Sequence, residues 1–153
     1  MGLARSDILG GWELVSFTAH DVATGRVSYP LAERPSGLIM YIDDGYMSAQ
    51  LTSGRPGHPP LDPVEESRDP DYVAYGGCFV VDGASATVHH QVLVSMLPAL
   101  FAQPQLRHAT VEADCLTLSA TAAGEDGAAT HSTLVWRRVL RGSTRSLIRG
   151  RRR

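Results

Sequence analysis

The chain contains no lysine: all 14 basic residues are arginine, a bias that reads as codon usage in a GC-rich genome rather than a functional demand. Cysteine is nearly absent. Cys78 and Cys115 are too few for a disulfide framework, and each sits in an apolar run where a buried free thiol is expected. No apolar run approaches the ~18 residues of a membrane-spanning helix. The opening Met1-Gly2-Leu3-Ala4-Arg5-Ser6-Asp7 lacks the apolar centre of a secretion signal, so a cytoplasmic protein is expected. Also missing are a glycine-rich phosphate loop, a zinc-spaced Cys/His set and a Gly-x-Ser-x-Gly elbow. No cofactor and no bound metal are expected. His89-His90 makes a poor chelating pair, because neighbours on a strand point to opposite faces, and Asp43-Asp44 has no calcium-loop spacing around it.

Charge is unevenly distributed. Residues 1–139 hold eight arginines against all 16 acidic residues, a net of −8, whereas residues 140–153 add six arginines and bring the chain to −2. An acidic body argues against a nucleic-acid-binding face; the tail alone could touch phosphate or anionic lipid, but neither a nucleic-acid nor a membrane partner is expected. The Arg-rich segment 141–153 is expected to be a disordered, solvated tail.

At 153 residues, 43% apolar and 20% charged, the chain is sized for one ordinary globular domain, placed at 7–140. Its apolar residues follow strand patterns. A helical turn at 7–9 leads into strands expected at 11–19, 27–30, 38–42 and 46–51, with Asp43-Asp44-Gly45 as a tight hairpin turn. From 52 to 70, five prolines and two glycines forbid regular sheet, apart from a helical turn at 64–68. A segment of this kind fits a lid or binding loop. Strands return at 72–81, 86–96, 105–113, 115–121 and 130–140, with a hairpin tip at 124–127. Eight or nine closely spaced strands without a long helix or a repeat predict an all-β chain: an antiparallel up-and-down barrel, since closure removes exposed sheet edges.

Two ends of the sequence answer each other. Gly10-Gly11-Trp12 opens the first strand, and Trp136-Arg137-Arg138 closes the last, so an indole can plug the barrel while a guanidinium stacks on its face. With Pro35-x-Gly37-x-Ile39-x-Tyr41, Gly45-Tyr46-Met47-Ser48-Ala49, Ala74-Tyr75-x-Gly77, Val88-x-His90-x-Val92-x-x-Ser95-x-x-Pro98, Gln105-x-Arg107 and Leu134-x-Trp136-x-Arg138, the chain resembles the bacterial and fungal lipocalin-like domain family of the calycin type. The resemblance implies a closed barrel of eight to ten strands with a central cavity. It also implies several possible activities, among them ligand binding and cyclisation in specialised metabolism. At 99–103 the chain departs from the family's glycine and aromatic pattern, with Leu100-Phe101-Ala102 instead.

Strand parity then sorts the polar side chains. His90, Val92 and Val94 share one face, and Arg107, Ala109 and Val111 share another, so His90 and Arg107 are expected to face the cavity. Tyr41 and Tyr75 are placed with them. In an apolar cup, His90 would serve as acid or base near neutral pH, and Arg107 or a tyrosine would stabilise an enolate or carboxylate. Candidate catalytic residues are thus His90, Tyr41 and Arg107. Candidate ligand contacts are Trp12, Met47, Tyr75, Phe79, Val92 and Trp136. The same polar group could instead be a structural network holding one barrel end. Glu13 is expected to pair with Arg138 or Arg107, while His20, His58 and His131 are expected in surface loops or edges. Three functions follow: a cofactor-independent cyclase or isomerase acting on a hydrophobic oxygenated intermediate, polyketide- or terpenoid-like; a carrier of a small hydrophobic molecule; or a protein-interaction module. A monomer or homodimer suits each.

Overall fold

A computed structural model describes residues 2–54, 72–101, 105–123 and 126–139. A one-turn helix, α1 (Arg5–Ile8), precedes nine strands: β1 (Gly10–Asp21), β2 (Val27–Ser28), β3 (Ser36–Tyr41), β4 (Tyr46–Thr52), β5 (Tyr72–Asp82), β6 (Thr87–Ser95), β7 (Gln105–Glu112), β8 (Cys115–Ala123) and β9 (Ala129–Arg138). Every pairing is antiparallel. The strands β3 to β9 follow one another in order, and β1 pairs with both β3 and β9. The result is a closed eight-stranded barrel with β2 as an extra strand outside the ring. The long 52–70 segment, beyond Gly54, lies outside the described residues, as do the first two residues of the 124–127 tip and the Arg-rich stretch 141–153.

One end of the barrel is plugged. The turns after β3, β5 and β7 gather there, and the N-terminal segment is laid across them. Arg5 Nη1 reaches Asp43 Oδ1 at 2.9 Å, and Trp12 Nε1 donates to the Ile8 carbonyl at 2.9 Å. Arg138 donates to the carbonyls of Leu9 and Asp7, both at 2.9 Å, while its guanidinium carbon sits 4.1 Å from the Trp12 ring centre. Trp12, Ile8, Tyr41, Ile39, Leu116 and Val88 are all fully buried. Gly10 takes φ +113°, so it is backbone handedness, more than close passage, that calls for glycine at this entry to β1.

Two bulges reset which side chains face inward. In β1, Leu14 opposes Trp136 but Ser16 opposes Val135, so Val15 is the extra residue. In β6, Gly77 opposes Val92 but Gly76 opposes Val94, leaving Leu93 unpaired. The second bulge overturns one parity expectation: Val94 does not share the inner face with His90 and is 67% exposed. Other expectations also change. Cys115 is exposed and Cys78 half-buried, both free, because each sits on the outer side of its strand. His20 and His131 lie within β1 and β9, not in loops; they are cross-strand partners with ring centres 5.1 Å apart. Glu13 pairs weakly with Arg137 at 3.8 Å, because residues 13 and 137 stand opposite each other, and Arg138 turns instead towards Asp114 at 3.8 Å.

Candidate functional site

Above the plug the barrel is hollow. A cavity of about 300 Å³ is walled by apolar side chains from β1, β3, β4, β5, β8 and β9, among them Phe17, Ile39, Leu51, Val73, Leu118 and Leu134. Its polar members are Tyr75, His90, Gln105, Arg107, Ser132 and Trp136. The β6–β7 pairing covers only Thr87–His90 against Gln105–His108. Among the described residues, β6 beyond His90 has no β7 partner, and a 3-10 turn, Pro98–Phe101, brings Leu97 and Leu100 to the cavity wall.

His90 stands where that gap begins, 1% exposed, and both its ring nitrogens are used. Tyr41 Oη lies 2.7 Å from Nε2, and Tyr75 Oη lies 2.9 Å from Nδ1. Phe79 packs edge-on against Tyr41 with centroids 5.0 Å apart. Burial drives the imidazole pKa from 6.5 down to about 3, and the positive charge of Arg107 pushes the same way. Burial also raises the Tyr41 hydroxyl well above its usual range, aided by Tyr75, and raises Tyr75; Arg107 opposes both shifts. At neutral pH all three groups are uncharged. His90 is thus a neutral bridge and not an acid–base group poised near pH 7, because no described residue offers its cationic form a counter-charge.

Arg107 follows Leu106, which is 52% exposed on the outer face, and shares the inner face with the buried Ala109. Its Nη1 donates to the Leu106 carbonyl at 2.9 Å and its Nη2 to Gln105 Oε1 at 3.3 Å. Among the described residues it forms no ion pair. Trp136 is 1% exposed, and its Nε1 finds no hydrogen-bond partner there either.

Of the residues singled out from sequence, the structure brings His90, Arg107, Tyr75 and Trp136 to the cavity wall. Tyr41 touches His90 from beneath and does not line the cavity. Trp12, Met47 and Phe79 belong to the plug, and Val92 is absent from the wall. Parity alone could not separate them, since plug and cup lie on the same inner face at different heights. Leu51 alternates with Met47 and Ala49, and Val73 with Tyr75, so parity could place both on the inner face, whereas Phe17 is turned inward only by the Val15 bulge. Leu97 and Leu100 carry no period-two signal.

A plugged barrel with an apolar cup and a few inward polar groups is a lipocalin-like architecture, suited to holding a small hydrophobic molecule. Residues 9–139 match the model of the lipocalin-like domain family, and the chain belongs to that family. A comparison with curated proteins finds no match. Among solved structures, that of EF1p2_mFAP2b bound to DFHBI is similar, with 17% identity over 89% of this chain and 97% of that one, at a TM-score of 0.45. Among the described residues, no helix is long and apolar enough to cross a membrane, and no cluster of His, Cys, Asp and Glu could hold a metal ion.

Proposed function

We propose that this protein is a cofactor-independent cyclase or isomerase that folds a small hydrophobic, oxygenated molecule, polyketide- or terpenoid-like, inside the barrel. The observation that supports this most is the placing of Arg107 and Tyr75 on the wall of an otherwise apolar cup of about 300 Å³. An apolar wall restricts the conformers of a flexible substrate and so supplies orientation. A guanidinium and a tyrosine hydroxyl beside a bound carbonyl polarise it and stabilise negative charge developing on its oxygen. A carbonyl activated this way is a better electrophile for an internal alkene: as the new C–C bond forms, the double bond shifts and the allylic hydrogen passes to the carbonyl oxygen, so the ring closure requires no separate base in the cavity.

A carrier that changes no bonds is the second reading. It is favoured by the neutrality of His90, Tyr41 and Tyr75, which leaves no strong base among the described lining residues. Citronellal separates the two, being a flexible terpenoid aldehyde whose internal alkene closes on the carbonyl to give isopulegol. Chiral gas chromatography should show isopulegol forming above the buffer rate with a biased isomer ratio, and Arg107→Gln and Tyr75→Phe should abolish the excess. Binding of the aldehyde without any excess conversion would leave the carrier.

A further inference from the structure

Burial fixes the direction of the hydrogen bonds around His90. Tyr41 is fully buried, and its hydroxyl has one polar partner among the described residues, His90 Nε2 at 2.7 Å. An O–H left unpaired beside the Phe79 ring would be strongly penalised, so Tyr41 donates to Nε2. A neutral imidazole that accepts at Nε2 carries its proton on Nδ1. Nδ1–H therefore donates to the Tyr75 oxygen at 2.9 Å. Tyr75 is left with its own proton to give, and its ring forms part of the cavity wall. The reverse arrangement would strand the Tyr41 proton in the plug.

Two further donor-bearing side chains share that wall. Trp136 Nε1–H is buried without an acceptor among the described residues. Arg107 commits one N–H to Leu106 and one to Gln105, and its fork holds more. Among the described lining side chains acceptors are scarcer: the Gln105 carbonyl oxygen already receives from Arg107, and the Ser132 hydroxyl is a second.

We propose that the Tyr41–His90–Tyr75 chain runs outward and, with Trp136 and Arg107, makes the cup a donor-lined site selective for a hydrophobic ligand with an acceptor-only oxygen, a ketone or aldehyde. The proposal rests on reading the cavity as a small-molecule site. Tyr41 enters as a positioning residue: it touches no ligand but sets which nitrogen of His90 carries the proton, and hence what Tyr75 offers.

Three near-isosteric probes test it on the full chain by calorimetry: 2-acetonaphthone, its alcohol 1-(2-naphthyl)ethanol, and 2-isopropenylnaphthalene, in which CH₂ replaces the carbonyl oxygen. The ketone should bind at least about ten-fold more tightly than the alkene, because the alkene leaves the donors unpaired. The alcohol should fall between. Tyr75→Phe should erase most of that preference, weakening the ketone far more than the alkene. Tyr41→Phe should do the same from a distance, since it frees His90 to take the other tautomer and Tyr75 to turn its proton onto Nδ1. A merely structural Tyr41 would weaken all three probes equally, and that result overturns the proposal. Nitrogen-15 spectra of the unsubstituted protein provide a second reading that needs no variant: His90 should be protonated at Nδ1, and protonation at Nε2 overturns the proposal. Equal binding of ketone and alkene sinks the donor-lined site but leaves the cup. No binding by any probe sinks the cup as well.

Discussion

At the scale of single residues, the governing fact is that His90 is buried with two neutral partners and, among the described residues, no anion beside it. Its folded-state pKa of about 3 lies below the unfolded value of 6.5. The unfolded chain therefore takes up a proton from about pH 6.5 downward while the folded chain does not. The stabilisation is fully present above pH 6.5 and is lost as the pH falls towards 3, at about 1.4 kcal/mol per unit. Asp21 and Asp82, whose carboxylates are held below their usual range by backbone and side-chain hydrogen bonds in their turns, contribute to the pH dependence mainly below pH 4. Urea midpoints taken from pH 6.5 to 4.5 should thus show a drop of roughly 2–3 kcal/mol, and His90→Gln should flatten it. An unchanged slope in that variant would mean that His90 is not the group responsible. The inward placing of His90 could be read from alternation with Val88. Its neutrality could not, because that depends on Tyr41 and Tyr75 arriving from β3 and β5, 49 and 15 residues away.

At the scale of elements, two glycines next to each other on β5 play different parts. A Cβ on Gly77 would stand 1.9 Å from the Gln91 carbonyl oxygen and 2.9 Å from the Leu93 nitrogen, where the β6 bulge folds back. On Gly76 it would meet the Met47 carbonyl oxygen at 3.2 Å. Gly77→Ala must open the bulge and should cost about 3 kcal/mol or more, whereas Gly76→Ala should cost about 1 kcal/mol. Chemical denaturation compares them directly. The β strands and their order were legible in the alternation of the sequence, and Asp43-Asp44-Gly45 marked its turn. The bulges were not: an unpaired residue leaves no periodic mark, and so Val94 was assigned to the wrong face. The clasp between α1 and β9 was half legible. Trp12 and Arg138 announced the stacking, but the carbonyls of Asp7 and Leu9 that Arg138 also holds are backbone groups without sequence identity. Arg138→Leu should cost about 2–3 kcal/mol in thermal unfolding, and Arg138→Lys should recover less than half, because an ammonium cannot span two carbonyls and a ring face together.

At the scale of the whole molecule, closure makes one sheet serve two purposes along its axis. The plugged half packs Ile8, Trp12, Tyr41, Phe79, Val88 and Leu116 to near-complete burial. The open half leaves about 300 Å³ between Phe17, Leu51, Val73 and Leu134, forgoing packing there. Stability and ligand binding should therefore separate along the barrel. Leu116→Ala deletes a fully buried side chain outside the cavity wall and should cost about 3–4 kcal/mol, with little change in affinity for 2-acetonaphthone at a temperature where the variant is folded. Leu97→Ala removes a half-buried wall residue beside the 3-10 turn and should cost under about 1 kcal/mol, yet weaken that binding several-fold. The ligand itself should raise the stability of the unsubstituted protein by about 2.7 kcal/mol at a hundred times its Kd, and thermal shift with and without 2-acetonaphthone reads both effects in one experiment. If Leu97→Ala proved as destabilising as Leu116→Ala and left binding untouched, the open half would be ordinary core, and the hollow above His90 would have no part in function.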